Sequence, residues 1–221
     1  MEELFDKKYV CELCKKEYTN KKVKRSRIKI KKIDTDFYTE YEGENPVYYL
    51  VKVCTYCGYP MSDFSSPLKS GEIEGLKKFL KENPPEDNFS GPRDAKLAEK
   101  VFLHALKVAQ WRGEKAQVLG NLSLQLAWVY RFLNNREKEK EYLEKALQHF
   151  LNFYQHDSGM INVGKTMFII GELYRRLGND NEALKWYSRI IGDEKVTDQT
   201  IIRMARKQWQ EMKNAPPKSG S

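Results

Sequence analysis

The chain has 221 residues, enough for two modest domains, and 39 basic residues against 31 acidic ones give it a formal net charge of +8. No stretch approaches the roughly 18 to 20 consecutive apolar residues of a membrane span, so the composition excludes a helical membrane protein. The basic excess is too small to indicate a nucleic-acid partner by itself.

The four cysteines of the chain form two Cys-x-x-Cys pairs, Cys11 with Cys14 and Cys54 with Cys57. Two residues between cysteines let both thiolates of a pair turn toward one ion, and two pairs supply the four soft ligands of a tetrahedral centre. Four thiolates leave no position at which a water could be activated. The pattern therefore predicts one structural Zn²⁺.

Two other interpretations of the cysteines stay open. A thioredoxin-like redox pair would need a Cys-x-x-Cys that opens a helix in a βαβ unit, whereas these pairs follow strand-like segments. Two disulfides would need an oxidising compartment, and no apolar signal segment precedes Cys11. With its thiols kept for metal, we expect a soluble cytoplasmic protein without a membrane partner.

Strand-like patterns fill the region around the cysteines. The 39 residues between Cys14 and Cys54 exceed a simple finger loop, so this insert is expected to contain a folded hairpin. Residues 23–33 alternate apolar and charged side chains, and residues 47–53 are aromatic and β-branched; both segments predict strands. Residues 1–65 are therefore predicted to form a zinc-ribbon domain whose small core depends on its metal.

The residue after each cysteine pair bears on the turn geometry. Gly58 directly follows Cys57 and suits a tight knuckle, because a residue without Cβ turns there without strain. Lys15 takes the equivalent place after Cys14. The sequence therefore favours the knuckle turn more strongly at the second pair than at the first.

Charge is unevenly distributed along the ribbon. Residues 7–32 carry twelve lysines and arginines against two glutamates, whereas residues 34–44 carry five acids and no basic residue. The basic run could bind phosphates, although the acidic run would repel a nucleic-acid backbone. The candidate nucleic-acid contacts are Lys21, Lys22, Lys24, Arg25 and Arg27, with Tyr38, Tyr41, Tyr48 and Tyr49 available for base stacking.

The chain changes character after residue 65. Residues 66–92 are rich in Pro and Gly and contain one short amphipathic helix over residues 73–80, which is typical of a connector. From residue 93 to 213 the helical signal is nearly continuous and predicts about six helices. The turn markers between them are Arg112-Gly113, Asn134-Asn135, Asp157-Ser158-Gly159, Gly178-Asn179-Asp180 and Gly192-Asp193. Residues 214–221 are predicted to be a disordered tail.

The helical region shows the spacing of tetratricopeptide repeats. Gly171 and Ala183 occupy the small positions that let two helices approach closely, and larger apolar residues surround them. A weaker copy starts at Ala127, 44 residues before Gly171 rather than about 34. We therefore predict an α+β protein in which a β zinc ribbon precedes an all-α array of tetratricopeptide-like helices.

The whole chain resembles the bacterial proteins of domain of unknown function 2225. The resemblance rests on CELC at 11–14, SR at 26–27, DTDF at 34–37, NPVYY at 45–49, VCTYCGY at 53–59 and LAWVYR at 126–131. It implies a metal-binding ribbon fused to tetratricopeptide-like helices. It does not indicate an activity, because the family has none assigned. Glu12 and Thr55 stand where such ribbons often carry proline, which loosens the knuckles and removes no ligand.

No catalytic pattern stands out elsewhere. The sequence has no Gly-rich phosphate loop, serine elbow or His-Glu-x-x-His motif, and His104, His149 and His156 are typical of core or surface histidines. Asp34 and Asp36 are more typical of turn hydrogen bonds than of acid–base catalysis, and a hydrolase built on them would need a second metal site. We therefore predict no enzyme.

The leading hypothesis is an adaptor whose helices bind a protein partner while the zinc ribbon is a rigid second contact module. The alternative is a nucleic-acid-binding protein that uses the basic ribbon.

Overall fold

The structure is a computed structural model that describes residues 2–156 and 163–214. Within these residues the protein is α+β, and three small antiparallel hairpins precede seven helices. The strands are β1 (Leu4–Val10), β2 (Glu17–Val23), β3 (Lys29–Ile33), β4 (Thr39–Glu42), β5 (Lys52–Val53) and β6 (Pro60–Met61). The helices are α1 (Ile73–Glu82), α2 (Ala95–Trp111), α3 (Ala116–Phe132), α4 (Arg136–His156), α5 (Val163–Arg176), α6 (Asp180–Gly192) and α7 (Gln199–Asn214).

The chain divides into two compact units, Met1–Tyr142 and Leu143–Ser221, with the division inside α4. The first unit contains the ribbon and the first three helices. The domain boundaries that the sequence places at residues 65, 92 and 213 remain predictions. None of the described helices combines the length and apolarity that crossing a membrane requires.

The hairpins place both cysteine pairs at turns between strands. β1 pairs with β2 around Cys11 and Cys14, and β5 pairs with β6 around Cys54 and Cys57. β3 and β4 form the third hairpin inside the long insert, with an irregularity in register between Ile30 and Lys32. The predicted folded hairpin between the cysteine pairs is confirmed.

The prediction of one strand over residues 23–33 is wrong. β2 ends at Val23, opposite Leu4 at the start of β1, so no partner strand remains to extend the ladder. The chain then makes a 3₁₀ turn over Arg25–Arg27 before β3 begins. The alternating side chains indicated a local preference for strand but not the residue at which pairing with β1 ends.

The prediction of a strand over residues 47–53 is also largely wrong. Pro46–Tyr49 is a 3₁₀ helix, and only Lys52–Val53 is strand. The Asn45 side chain caps this helix by accepting a hydrogen bond from the Val47 amide at 3.0 Å, and Pro46 has the fixed φ of a first helical position. Cap and proline together override the strand preference of the aromatic residues that follow.

The predicted helix boundaries hold wherever the structure describes them. Four of the turn markers fall between successive helices, and the connector helix is α1. The marker at residues 157–159 and residues 215–221 of the predicted tail lie outside the described residues. Asn214, predicted to be the first residue of that tail, is instead the last residue of α7. Local signals from Gly, Asn and Asp were therefore sufficient to place the ends of these helices.

In the second unit, α5 and α6 cross at the predicted small residues. A Cβ at Gly171 would lie 2.8 Å from the Tyr187 ring, and Ala183 is fully buried. The Tyr187 hydroxyl donates to the buried Glu172 carboxylate at 2.7 Å, which fixes the ring against Gly171. α7 then packs on α6 and α5. The contact residues that the repeat spacing predicted are those that meet at this crossing.

We expect Gly171→Ala to destabilise the protein by about 1–3 kcal/mol, because the new methyl group meets a ring that cannot move away. Helix propensity alone would give the opposite sign, a gain of up to about 1 kcal/mol. The control is Gly192→Ala at the end of α6, where a Cβ meets no atom within 4 Å. Thermal unfolding measures the stability of both variants. A Gly171→Ala protein as stable as the wild type would contradict the tight crossing of α5 and α6.

Candidate metal centre

The two cysteine pairs lie in turns with the same backbone hydrogen bonds. In the first, the Lys15 amide donates to the Cys11 carbonyl at 2.9 Å. In the second, the Gly58 amide donates to the Cys54 carbonyl at the same distance. The first cysteine of each pair also donates its amide across the hairpin, to Lys16 or to Tyr59, at 3.0 Å. The sequence therefore builds two matching knuckles that face each other.

The four sulfur atoms form one cluster. All four Sγ atoms lie within 4.8 Å of one another. The Cys11–Cys57 and Cys14–Cys54 distances are both 3.6 Å, and both contacts cross between the knuckles. Zn–S bonds of about 2.3 Å place tetrahedral sulfurs about 3.8 Å apart. The donor atoms thus fit a single four-coordinate ion.

The electrostatics of the thiols also favour binding of a cation. The hydrogen bond from Cys57 lowers the pKa of Cys11 to about 5, and the same bond together with burial raises the pKa of Cys57. Burial raises the pKa of Cys54 to about 11. Four thiols at this spacing cannot all ionise on their own, whereas a bound dication stabilises all four thiolates.

All four cysteines are free thiols. Each sulfur has a sulfur of the other knuckle 3.6 Å away, so the thiols are not arranged as two separate redox pairs. Neither knuckle opens a helix, since each lies between two antiparallel strands. The geometry therefore favours the metal-binding interpretation of the four cysteines.

A comparison with protein families identifies the chain. The family described as "Uncharacterized protein conserved in bacteria", DUF2225, matches residues 4–212. The chain belongs to the DUF2225 family. No curated protein and no solved structure matches it. The resemblance noted from the sequence motifs is confirmed, and this DUF2225 chain carries a four-cysteine cluster ahead of a helical part.

The knuckles rest on the first two helices rather than on a core of their own. Leu13 and Tyr59 share one apolar cluster with Leu76 and Leu80 of α1 and with Val108 of α2. This cluster also includes the buried Cys11 and Cys54. Any disturbance of the cysteine cluster should therefore reach α1 and α2 as well as the hairpins.

Two polar contacts strengthen this attachment of the DUF2225 ribbon to α2. The Nε2 atom of His104 lies 2.7 Å from the Gly58 carbonyl, and burial lowers the pKa of this histidine. The neutral ring can donate from Nε2 to that carbonyl. Arg112, at the end of α2, donates to the Tyr59 hydroxyl at 3.1 Å. His104 is thus a partly buried structural histidine, in agreement with the prediction that it is a core or surface residue.

Sequence reasoning missed a buried arginine that holds this region together. Arg93 is 4% exposed, and its guanidinium donates to the carbonyls of Tyr48, Val51 and Phe89 at 2.7–3.0 Å and to Asn20 Oδ1 at 3.1 Å. Asn20 in turn bonds both the amide and the carbonyl of Val53, the residue before Cys54. One side chain therefore joins β2, the 3₁₀ segment and the strand that carries the second knuckle.

The acidic pair of the insert has a structural role. The Asp36 carboxylate is 3% exposed and accepts from Arg131 Nη2 of α3 at 2.8 Å and from the Tyr38 amide at 3.2 Å. Asp34 lies 3.6 Å from the same guanidinium. These contacts agree with the predicted preference for turn hydrogen bonds and add an ion pair to α3 that the sequence did not reveal.

The candidate nucleic-acid residues lie on β2 and the turn after it. Lys21 pairs with Asp6 at 3.0 Å, and the Lys24 amide donates to the Glu3 carbonyl. The Lys22 side chain lies near other cations. Arg25 and Arg27 are the first and last residues of the 3₁₀ turn. Two of the four tyrosines proposed for stacking, Tyr38 and Tyr49, are buried. The structure therefore keeps the basic run but reduces the aromatic surface next to it.

The knuckle glycine allows a sharp test of the local geometry. Gly58 has φ +72°, and a Cβ there would lie 2.6 Å from Pro85 Cδ. We expect Gly58→Ala to cost about 1–2 kcal/mol for the left-handed backbone alone, with the Pro85 clash adding to it. Lys15 adopts φ +62° in the other knuckle. Lys15→Gly should change stability by less than about 1 kcal/mol, because relief of strain and added chain entropy offset each other.

Chemical denaturation of the metal-loaded protein compares the two variants. A Gly58→Ala protein as stable as the wild type would show that the second knuckle does not require its glycine.

Proposed function

We propose that the cluster binds one structural Zn²⁺ and that the protein is a non-enzymatic adaptor that binds a protein partner through its helices. The adaptor proposal rests on the partly exposed apolar side of the last helix, α7. α7 packs on its neighbours through Ile201, Ala205 and Gln208 and leaves other apolar side chains partly exposed.

Zinc is supported by the donor set. Four thiolates at tetrahedral spacing suit a soft, four-coordinate structural ion and leave no coordination site for substrate. Reduced thiols are also what the cytoplasm maintains, which supports that location. Metal analysis of protein purified without added metal is expected to give one zinc per chain. Iron in its place, visible by its colour, would overturn the choice of ion.

The partly exposed side of α7 has the properties of a docking surface for an acidic segment. Ile202 and Trp209 lie two turns apart and are both half-buried. Four basic residues and one acid occupy the same helix, and among them Arg203, Arg206 and Lys207 are exposed. An amphipathic segment with apolar anchors and acidic flanks would match this pattern.

The proposal is tested by affinity purification of the intact protein at moderate salt. The test variant carries Ile202→Ala and Trp209→Ala together, and the control is Gln210→Ala at an exposed position of the same helix. A protein that is retained by the wild type and the control and lost from the double variant, at unchanged helical content, would support the adaptor. Equal retention by the double variant would exclude α7 as the docking surface.

The nucleic-acid alternative makes a different prediction in the same experiment. Its affinity would fall steeply with rising salt, because phosphate contacts release counterions. The buried Tyr38 and Tyr49 weaken its support. Co-purified nucleic acid that depends on Lys21, Lys22, Lys24, Arg25 and Arg27 would favour it over the adaptor.

A further inference from the structure

Three lysines converge on one face of the β1–β2 hairpin. In the register of this hairpin, Lys7 lies opposite Asn20, and Phe5 lies opposite Lys22. Residues directly opposite each other in an antiparallel pair share a face, so Lys7 and Lys22 are diagonal neighbours on one side. Tyr9 and Tyr18, whose rings are 5.8 Å apart, lie on the same side.

The third lysine comes from the strand that carries the second knuckle. Lys52 of β5 is 8% exposed, an unusual burial for a lysine. Its Nζ lies 5.8 Å from the centre of the Tyr9 ring, and the Nζ of Lys7 lies 5.3 Å from the same centre. Two ammonium groups from different hairpins therefore lie close to the same Tyr9 ring.

The carboxylate that faces these cations is Asp63, which bonds Lys52 Nζ. The hydrogen bond and charge of Lys52, with the charges of Lys22 and Lys7, lower the pKa of Asp63. Partial burial lowers the pKa of Lys22. The neighbouring cations that lower it further are Lys7, Lys52 and Arg25. Several cations thus share one carboxylate, and the local charge is not balanced.

The Asp63 side chain is 83% exposed, whereas that of Lys52 is 10% exposed. The lysine is therefore held in place, and the carboxylate is on the solvent side where a ligand anion could replace it. A buried lysine that is held in place by an exposed acid is a preorganised anion site, since it needs little rearrangement on binding.

We propose that Lys7, Lys22 and Lys52, with Arg25 at the margin, form a binding site for a small ligand that carries a di- or triphosphate group. Lysines bind phosphate as point charges, and a multiply charged phosphate balances several of them at once. A compact ligand is favoured over a nucleic-acid strand, because two lysines already occupy the Tyr9 ring that a base would need for stacking. The site lies in the first unit, and this proposal does not rest on partner binding by α7.

The hairpin supplies a matched control for this site. Lys8 and Lys21 lie next to Lys7 and Lys22 on the same two strands but face the other side, where they pair with Glu17 and Asp6. A Lys7→Gln/Lys22→Gln protein and a Lys8→Gln/Lys21→Gln protein therefore lose the same charge from the same strands. Nonspecific attraction would weaken equally in both, whereas a site would respond only to the first pair.

The test is calorimetric titration of the zinc-loaded full-length protein with inorganic pyrophosphate at low ionic strength. Removing Lys7 and Lys22 is expected to weaken binding about tenfold or more, and removing Lys8 and Lys21 less than about threefold. Asp63→Asn should strengthen binding, because the competing carboxylate is gone. Unchanged zinc content and circular dichroism show that the variants are folded.

Three results would overturn the proposal. These are the absence of any heat of binding between pyrophosphate and the wild type, an equal loss of affinity when either lysine pair is removed, and an unchanged affinity of the Asp63→Asn protein. A single-stranded oligonucleotide that binds more tightly than pyrophosphate, and loses affinity equally with either lysine pair, would assign the basic hairpin to nucleic acid instead.

Discussion

Cys54→Ser is expected to abolish stoichiometric metal binding and to unfold much of the first unit. Metal binding contributes about 10–16 kcal/mol in small zinc sites, which is as large as the whole stability of a typical domain. Since Cys54 lies in the same apolar cluster as Leu76, Leu80 and Val108, the loss should reach α1 and α2. Metal analysis and amide hydrogen exchange measure the two effects.

The second unit should remain folded in this variant. Its buried residues Phe168, Ile170, Tyr187 and Ile190 form contacts between α5 and α6 that do not involve the cysteines. Thr55→Ser, inside the same knuckle at an exposed position, should keep both metal and stability. A Cys54→Ser protein with one zinc per chain would show that the ligand set is wrong. Protection lost equally from α5 and α6 would show that the two units unfold together.

Arg93→Met is expected to destabilise the metal-loaded protein by about 3–5 kcal/mol, because it leaves buried carbonyl groups without donors. Three carbonyl groups, those of Tyr48, Val51 and Phe89, accept from this guanidinium. Burial lowers the pKa of Arg93 to about 10, so the side chain is charged at neutral pH. Urea unfolding followed by circular dichroism measures the loss.

Arg93→Lys should recover little of that stability, since one ammonium group cannot reach acceptors that a planar guanidinium spans. Lys96→Met, at an exposed position of α2, removes the same charge and should change stability by less than about 0.5 kcal/mol. Full stability of Arg93→Lys would mean that charge, rather than the geometry of the donors, is what this site requires.

The features that the sequence predicted correctly are those with local signals. Cysteine spacing predicted the cluster, because two residues between ligands set the geometry of each knuckle. Helix ends followed from Gly, Asn and Asp in short turns. Gly171 and Ala183 were found because close helix crossings demand small residues.

The features that were missed depend on distant partners or on a competition between local signals. The 3₁₀ helix at Pro46–Tyr49 required the Asn45 cap to prevail over strand-forming side chains. Nothing near Arg93 in the sequence distinguishes it from an exposed arginine, since the acceptors in Asn20, Tyr48 and Val51 belong to distant segments. Lys15 adopts the same left-handed turn as Gly58 because the opposing hairpin bonds fix it there.

The ion pair between Asp36 and Arg131 joins residues 95 positions apart, and the bond between Asn20 and Arg93 joins residues 73 apart. Contacts of such long range require a large loop to close before they contribute, so they form late and slow the folding of the first unit. A ribosome must therefore have released α3 before the hairpins gain all their partners. Until then the buried Asp36 carboxylate lacks the guanidinium with which it pairs, so this part of the ribbon is completed late in synthesis.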